Sequence, residues 1–289
     1  MNATESSNKF LPKQALAPTP QHYAALVGDG MERLAAVSLK QIPPISAGAT
    51  IHDNGCGTGA ATAAVLASVS SDIAAAIKIT GTDIVEDAVK AYSSQSASSK
   101  WSAEGLTMDS NVLSFADETF SHSIGNALLF AGPSNNGIDV VKEMHRTLKP
   151  GGVMVVNSFA FVPNLEPLRV ASKETRPPGA PLPRQGMDEW SNPEYLRGIV
   201  EAGGFDSSMV RVQQCEYYIT TGEFDQYTNL LWSFIGGTTS AGWSKEDEEK
   251  WDEAVSIVKR ELQKTEGFKM LEDGRAMLRF VANVAVATK

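Results

Sequence analysis

The chain has 289 residues, 42% hydrophobic and 20% charged, ordinary proportions for a folded globular protein. A formal net charge of −9 with no basic run argues against a nucleic-acid backbone as partner, and no apolar run approaches membrane-spanning length. Two cysteines, Cys56 and Cys215, make no disulfide framework. With no basic region leading into an apolar stretch at the N-terminus, no signal peptide is expected, and the expected compartment is the cytosol.

Residues 1 to about 18 are polar with scattered prolines and read as mobile without a ligand. Thr19-Pro20 reads as an N-cap followed by proline at the first helical position. The helix beyond carries Tyr23, Leu26, Val27, Met31, Leu34, Ala35 and Leu39, with Gly28-Asp29-Gly30 weakening it midway, and Pro43-Pro44 ends the segment.

The next stretch organises the chain. Ala49 to Asp53 reads as a buried strand, Asn54-Gly55-Cys56-Gly57-Thr58-Gly59 as a tight turn, and Ala60 to Val69 as a helix. Alternate glycines reach positive φ and let a ligand approach the backbone, while the helix start offers unpaired N–H groups. This is a nucleotide- or cofactor-binding βα unit at the carboxyl edge of a parallel sheet. Gly55-x-Gly57-x-x-Ala60 also fits the dinucleotide fingerprint. Two details disfavour a dinucleotide: Gly59 falls one place early, and Asp53 would set a negative charge beside a pyrophosphate, where an ammonium or sulfonium suits it better.

Strand and helix alternate onward. Ala76–Asp83 reads as a second strand and Val85–Tyr92 as its helix; a Ser-rich stretch, 93–102, leads to a short strand, Gly105–Met108. The interval from Asp53 to Asp83 exceeds the roughly 20 residues usual between glycine loop and acid, the Ala/Ser-rich region supplying the excess. Phe120–Leu129 reads as a fourth strand, Gly137–Leu148 as a helix and Val153–Phe159 as a fifth strand. From Ala160 to about Asp188 prolines at 163, 167, 177, 178, 181 and 183 erase periodicity, which reads as a lid or substrate wall. Asn192-Pro193 caps a helix with Tyr195, Leu196, Ile199 and Val200 on its apolar face, stopped by Gly203-Gly204. Met209–Ile219 is a strand, Ser244-Lys245-Glu246-Asp247 a capping box, and Trp251, Ala254, Val255, Val258 and Leu262 one helical stripe; Met277–Ala287 is the last strand.

Landmarks along this order resemble the class I S-adenosylmethionine-dependent methyltransferases over residues 45 to 160. Asp53-x-Gly55-Cys56-Gly57-Thr58-Gly59 resembles their first motif. Gly81-Thr82-Asp83-Ile84 is similar to the second-strand end whose acid grips the ribose hydroxyls. Met108-Asp109 with Leu113-Ser114-Phe115-Ala116-Asp117-Glu118-Thr119-Phe120 resembles the stretch whose first acid faces the adenine amino group, and Arg146-Thr147-Leu148-Lys149-Pro150-Gly151-Gly152 the loop before the fifth strand. Within the family, the Asp-Asn-x-Cys-Gly core resembles the ubiquinone-biosynthesis-like subgroup, including fungal small-molecule enzymes such as the gliotoxin thiol methyltransferases.

The resemblance implies an α/β fold: a Rossmann-like seven-stranded, mostly parallel sheet with an antiparallel last strand, helices on both faces and a helical or irregular cap. Residues 1–44 would form the cap segment, 45–160 the cofactor-binding half and 161–289 the substrate-side half with lid and terminal strands. It implies S-adenosyl-L-methionine as cofactor, held by Asp53, Asn54, Gly55, Cys56, Gly57, Thr58, Gly59, Asp83, Ile84, Met108, Asp109, Ser110 and Asn126. Asn126 to Phe130 would sit beside the transferable methyl.

The reaction expected is in-line methyl transfer to sulfur or oxygen, less readily nitrogen, of a small, largely apolar metabolite. The alternative is a cofactor-binding relative that serves as a regulator or a cyclisation or rearrangement catalyst. A nicotinamide oxidoreductase is a third reading, disfavoured by Asp53 and the downstream landmarks. Such a displacement needs alignment and water exclusion, with a base required only for a hydroxyl of high pKa. His22 and Tyr23 are the candidate catalytic groups. His52, His122 and His145 read as packing or surface residues, and no histidine shows metal-ligand spacing, so no metal is expected. Cys56 reads as a small filler of the turn. Tyr23, Phe130, Phe161, Trp190, Tyr218 and Trp232 are the candidate substrate wall, with packing in the core as the alternative for the aromatic set.

Overall fold

The computed structural model describes residues 10–131 and 137–289; residues 1–9, half of the stretch expected to be mobile, lie outside the described residues. The N-terminal segment divides at its glycines into α1 (Pro20–Val27) and α2 (Gly30–Leu39). Thr19 Oγ1 accepts the His22 N–H at 3.2 Å, and Pro20 stands in the first turn, where its missing N–H costs nothing. Then come β1 (Thr50–Asn54), α3 (Ala60–Ser68), α4 (Ser71–Ala76), β2 (Lys78–Asp83), α5 (Glu86–Ser99), β3 (Ala103–Thr107), β4 (Phe120–Gly125), α6 (Ile138–Thr147) and β5 (Leu148–Phe161). The second half holds α7 (Leu165–Thr175), α8 (Pro193–Ala202), β6 (Val210–Glu223), α9 (Phe224–Leu231), α10 (Lys245–Glu249), α11 (Trp251–Leu262), β7 (Lys269–Met270) and β8 (Arg275–Thr288).

Several expected boundaries are corrected. α5 runs on through the serines, because their hydroxyls bond to carbonyls instead of competing for the backbone: Ser94 donates to Lys90 O at 2.9 Å and Ser98 to Gln95 O at 3.0 Å. β4 stops at Gly125 rather than Leu129, since Ala127 turns the chain at a φ of 56°. The expected lid is in part a core helix: α7 buries Leu168 and Ala171 completely, and Pro167 falls in its first turn, where proline is tolerated. Only about residues 176–187 stay irregular. The capping box at Ser244 is present, but it starts the five-residue α10, and α11 begins separately at Trp251.

Seven strands run in the order β3-β2-β1-β4-β5-β8-β6, with β7 paired to the outer end of β8. β3, β2, β1, β4 and β5 are parallel, and β8 is antiparallel to both β5 and β6. The strands after residue 160 thus belong to the same sheet as those before it. Neighbouring residues alternate between two cores: Val155, Val284 and Val286 join a cluster with α2, α3, α7 and α11, whereas Met154, Val156, Ala285 and Ala287 join one with α6 and α8. On α11, Trp251, Ala254, Val258 and Leu262 are buried at helical spacing; each large side chain so buried contributes about 1.5–3 kcal/mol. Among the described residues no helix is long and apolar enough to cross a membrane. The parallel strands bring the turns after β1, β2, β3 and β4 to one edge.

Candidate cofactor and substrate site

The turn after β1 is shaped by its glycines. Gly55, Gly57 and Gly59 have φ of 70°, 52° and 99°, the left-handed region that side chains avoid. A Cβ at Gly55 would meet Leu128 Cδ1 at 2.5 Å, so there the glycine serves close packing. At Gly57 a Cβ would meet nothing within 4 Å: this residue faces open space above the sheet edge. Cys56 N–H donates to Thr82 O at 2.8 Å, extending the β1–β2 pairing into the turn, and Gly59 starts α3. Asp83, at the end of β2, accepts the Gly57 N–H at 3.0 Å with one oxygen and the Val85 N–H at 2.9 Å with the other. Ile84 beside it is 66% exposed.

Asp53 stands in β1 directly before that turn. It lies beneath the turn, fully buried, and one carboxylate oxygen accepts from the Thr62 N–H at 3.0 Å and the Thr62 hydroxyl at 2.7 Å, pinning α3. Burial raises its pKa from the ordinary 3.8 to about 6; the Thr62 bonds oppose the rise and the Asp83 charge adds to it. Among the described residues its second oxygen has no partner, and neither has Asn54 Nδ2 next to it. Asn54 Oδ1 accepts the Ser110 hydroxyl at 2.7 Å and that of Thr82 at 3.4 Å. Buried polar atoms are rarely left unpaired, so two in consecutive residues mark the end of β1 as a place built for a polar partner.

The turn after β3 stands beside it. Met108 N–H donates to Asp83 O at 3.0 Å, and Asp109 is exposed, its Oδ1 accepting the backbone and side-chain N–H of Asn111 at 2.9 and 2.8 Å. At the end of β4, Asn126 is engaged at both ends of its amide: Nδ2 donates to Met31 O at 3.0 Å, and Oδ1 accepts from Asn157 Nδ2 at 2.9 Å. Asn157 also donates to Ser38 Oγ at 3.0 Å and accepts the Ala127 N–H at 2.8 Å. Asn126 therefore ties α2 to the sheet. Asn157, which the sequence reading did not single out, is the centre of that network; no motif marks it, because its partners come from distant parts of the chain.

His52 is buried between Phe120, stacked at 4.8 Å, and Phe115, its Nε2 2.9 Å from Thr82 Oγ1. Burial lowers its pKa to about 3, which keeps it neutral. Burial, reinforced by the Asp53 and Asp83 charges, pushes the Cys56 thiol up, so it stays protonated and inert. His22 Nδ1 lies 2.8 Å from Ala17 O in the first turn of α1. Tyr23 follows it, 41% exposed, with its phenol pushed up by burial and drawn partly back by Arg184.

The six aromatics chosen as a substrate wall do not converge. Phe130 and Trp190 do meet, ring centroids 5.7 Å apart, and Phe159 joins Phe130 at 5.5 Å. Phe161 and Tyr218 gather around Arg279 on the opposite face of the sheet from Tyr217, where strand alternation puts them. Trp232 is sealed in the core against Trp243 and Arg176, whose guanidinium pairs with Asp247 at 2.7 Å. Phe159 and Arg184 were missed; Arg184, a cation amid prolines and glycine, was the one legible signal of the pair.

Residues 51–152 match the family model of a methyltransferase domain. That span runs from β1 to the start of β5 and contains the turn, Asp83 and Asp109. Across nearly the whole chain the fold matches solved structures. YcgJ of Bacillus subtilis superposes with a TM-score of 0.54 at 14% identity, over 88% of this chain and 97% of its own. A Bacillus halodurans protein named as a candidate methyltransferase gives 0.54 at 19% identity, over 88% and 98%. A structure described under the conversion of a disulfide bond into a thioacetal group during echinomycin biosynthesis gives 0.52 at 16%, over 91% and 84%. At these identities the likeness establishes the fold: Rossmann-like, mostly parallel, with antiparallel last strands. No curated protein matches the sequence significantly.

Proposed function

We propose that this protein binds S-adenosyl-L-methionine at the turn after β1 and directs its methyl group to sulfur or oxygen of a small, largely apolar metabolite. The observation that carries this reading is Gly57: left-handed, open above, its N–H held by Asp83, with the orphaned polar atoms of Asp53 and Asn54 alongside. These residues fit the cofactor. Asn54, Gly55, Cys56, Gly57, Thr58 and Gly59 would hold its amino-acid part through backbone and amide groups, and Asp53 would act through the turn. Asp83 would take the ribose, and Ile84, Met108, Asp109 and Ser110 the adenine side. The cofactor supplies a methyl already activated on a sulfonium.

What the chain adds is position and exclusion of water. Phe130 and Phe159, half-buried at the ends of β4 and β5 with the buried Trp190 packed on Phe130, offer an apolar surface against which an acceptor rests. His52 is neutral and enclosed, and Cys56 is protonated, so neither serves as base; a thiolate or phenolate acceptor needs none. Calorimetric titration with S-adenosylmethionine, S-adenosylhomocysteine and NAD(H), followed by mass spectrometry of a thiol, phenol and amine panel, tests the reading. Donor binding with methylated thiol or phenol is expected. Donor binding with no methylated product would favour a cofactor-binding fold that does not transfer methyl, and binding of NAD(H) alone would overturn both.

A further inference from the structure

Arg184 sits in the irregular run between α7 and the turn at Asp188–Ser191, with a left-handed φ of 51°, a costly conformation for a residue with a side chain. The surrounding backbone is clamped to hold it there. Arg184 N–H donates to Thr238 O at 3.2 Å. Arg169, from α7, donates to the carbonyls of Pro183 and Arg184 at 3.5 and 3.3 Å and grips the Asp188 carboxylate at 2.8 and 3.2 Å. The side chain so placed is largely buried, yet among the described residues no carboxylate pairs with it; its contact is Met187 Sδ, a weak acceptor, at 3.7 Å. By contrast Arg33, Arg146, Arg169, Arg176 and Arg279 each hold an acid.

The opposite wall is Tyr23. α1 and α2 are moored over the sheet edge, since Asn126 donates to Met31 O at 3.0 Å and Gly28 lies against Thr220 O. The Arg184 segment is moored there too: it leads to Trp190, whose carbonyl accepts the Ser158 hydroxyl of β5 at 2.8 Å and whose ring meets Phe130. The helix that carries Tyr23 and the segment that carries Arg184 are thus both tied to the sheet at this end, through Thr220 and Asn126 on one side and Ser158 on the other.

We propose that Arg184, with Tyr23 as a neighbouring contact, receives a carboxylate carried by the methyl acceptor, whose apolar body rests on the half-buried Phe130 and Phe159. A planar guanidinium with free donors matches a carboxylate two-pronged, and burial strengthens the attraction. That the bound acid is a methyl acceptor rests on the function proposed above; that it is bound by its charge does not.

The test uses the full chain and two acids, 4-mercaptobenzoate and 4-hydroxycinnamate, each against its methyl ester, titrated calorimetrically with and without S-adenosylhomocysteine. Each acid is expected to bind about ten-fold more tightly than its ester. Arg184→Met removes that preference, Arg184→Lys keeps part of it, and Tyr23→Phe reduces it about two-fold, with S-adenosylmethionine affinity unchanged throughout and thermal melting confirming that each variant folds. Equal affinity for acid and ester, no binding of either acid, or a preference that survives Arg184→Met would overturn the proposal. Failure of the methyl-transfer reading would show separately, as absent donor binding, while acid preference is still read without the donor.

Discussion

At the end of β1, Asp53 Oδ1 and Asn54 Nδ2 are buried without partners among the described residues, whereas within β5 both polar atoms of the Asn157 side chain are engaged, holding Ser38, Asn126 and Ala127. The same sheet edge therefore carries two kinds of construction. Around β1 and β2 buried polar groups are left unsatisfied among the described residues, and in the function proposed here they serve the donor; around β4 and β5 the polar groups satisfy one another beside the half-buried Phe130 and Phe159. Unsatisfied groups suit a polar, charged ligand, and a self-satisfied, rigid network suits an apolar one whose position must be fixed.

Several substitutions would break or sharpen this contrast. Gly57→Val should have the largest effect: it fills the open space and forces a β-branched residue to a φ of 52°, so donor affinity should fall at least about 100-fold and stability by about 1–3 kcal/mol. Titration and thermal melting measure the two, and a variant that still bound donor well would place the ligand elsewhere. On the other side, Asn157→Leu strands the Ala127 N–H and the Asn126 and Ser38 side chains, at a cost of about 2–4 kcal/mol in urea unfolding, with donor affinity kept within about two-fold. An equal loss at both sites would dissolve the distinction.

A third effect is pH-dependent. Because Asp53 is raised to about 6 in the folded chain, the native state binds more protons than the unfolded chain between about pH 4 and pH 6. Its contribution is thus full below that window and is lost as pH rises through it, up to about 3 kcal/mol. Asp53→Asn should flatten that part of the stability profile, and an unchanged profile would show that another group titrates there. The smallest effect belongs to Cys56→Ala: with the thiol protonated and buried, the variant should keep its donor affinity and lose only about 1 kcal/mol.

The contrast also explains what could be read from the sequence. The proposed donor side is made of consecutive residues, Asp53 to Gly59 and then Asp83, so glycine spacing and strand-end acids point to it in the sequence. The hydrogen bonding of Asp53 is not written there, since it depends on Thr62, nine residues on in the first turn of α3, arriving beside it. The acceptor side joins residues as distant as Ser38, Asn126 and Asn157, and its aromatics fall on one sheet face or the other according to register. Hence Tyr218 and Phe161, which the sequence grouped with Phe130, fall away from it, while Phe159, which it did not single out, meets it. Proline likewise misled over residues 165–175, because in a first turn it begins a helix as readily as it breaks one.

Donor binding at the β1–β2 turn is the claim on which the rest stands, and calorimetric titration of S-adenosylmethionine into the wild-type chain and Asp83→Ala tests it most directly. Asp83 holds Gly57 and, in the function proposed here, takes the ribose, so the variant should bind at least about 30-fold more weakly while melting within a few degrees of wild type. Equal affinity in the two proteins, or no affinity in either, would contradict the account.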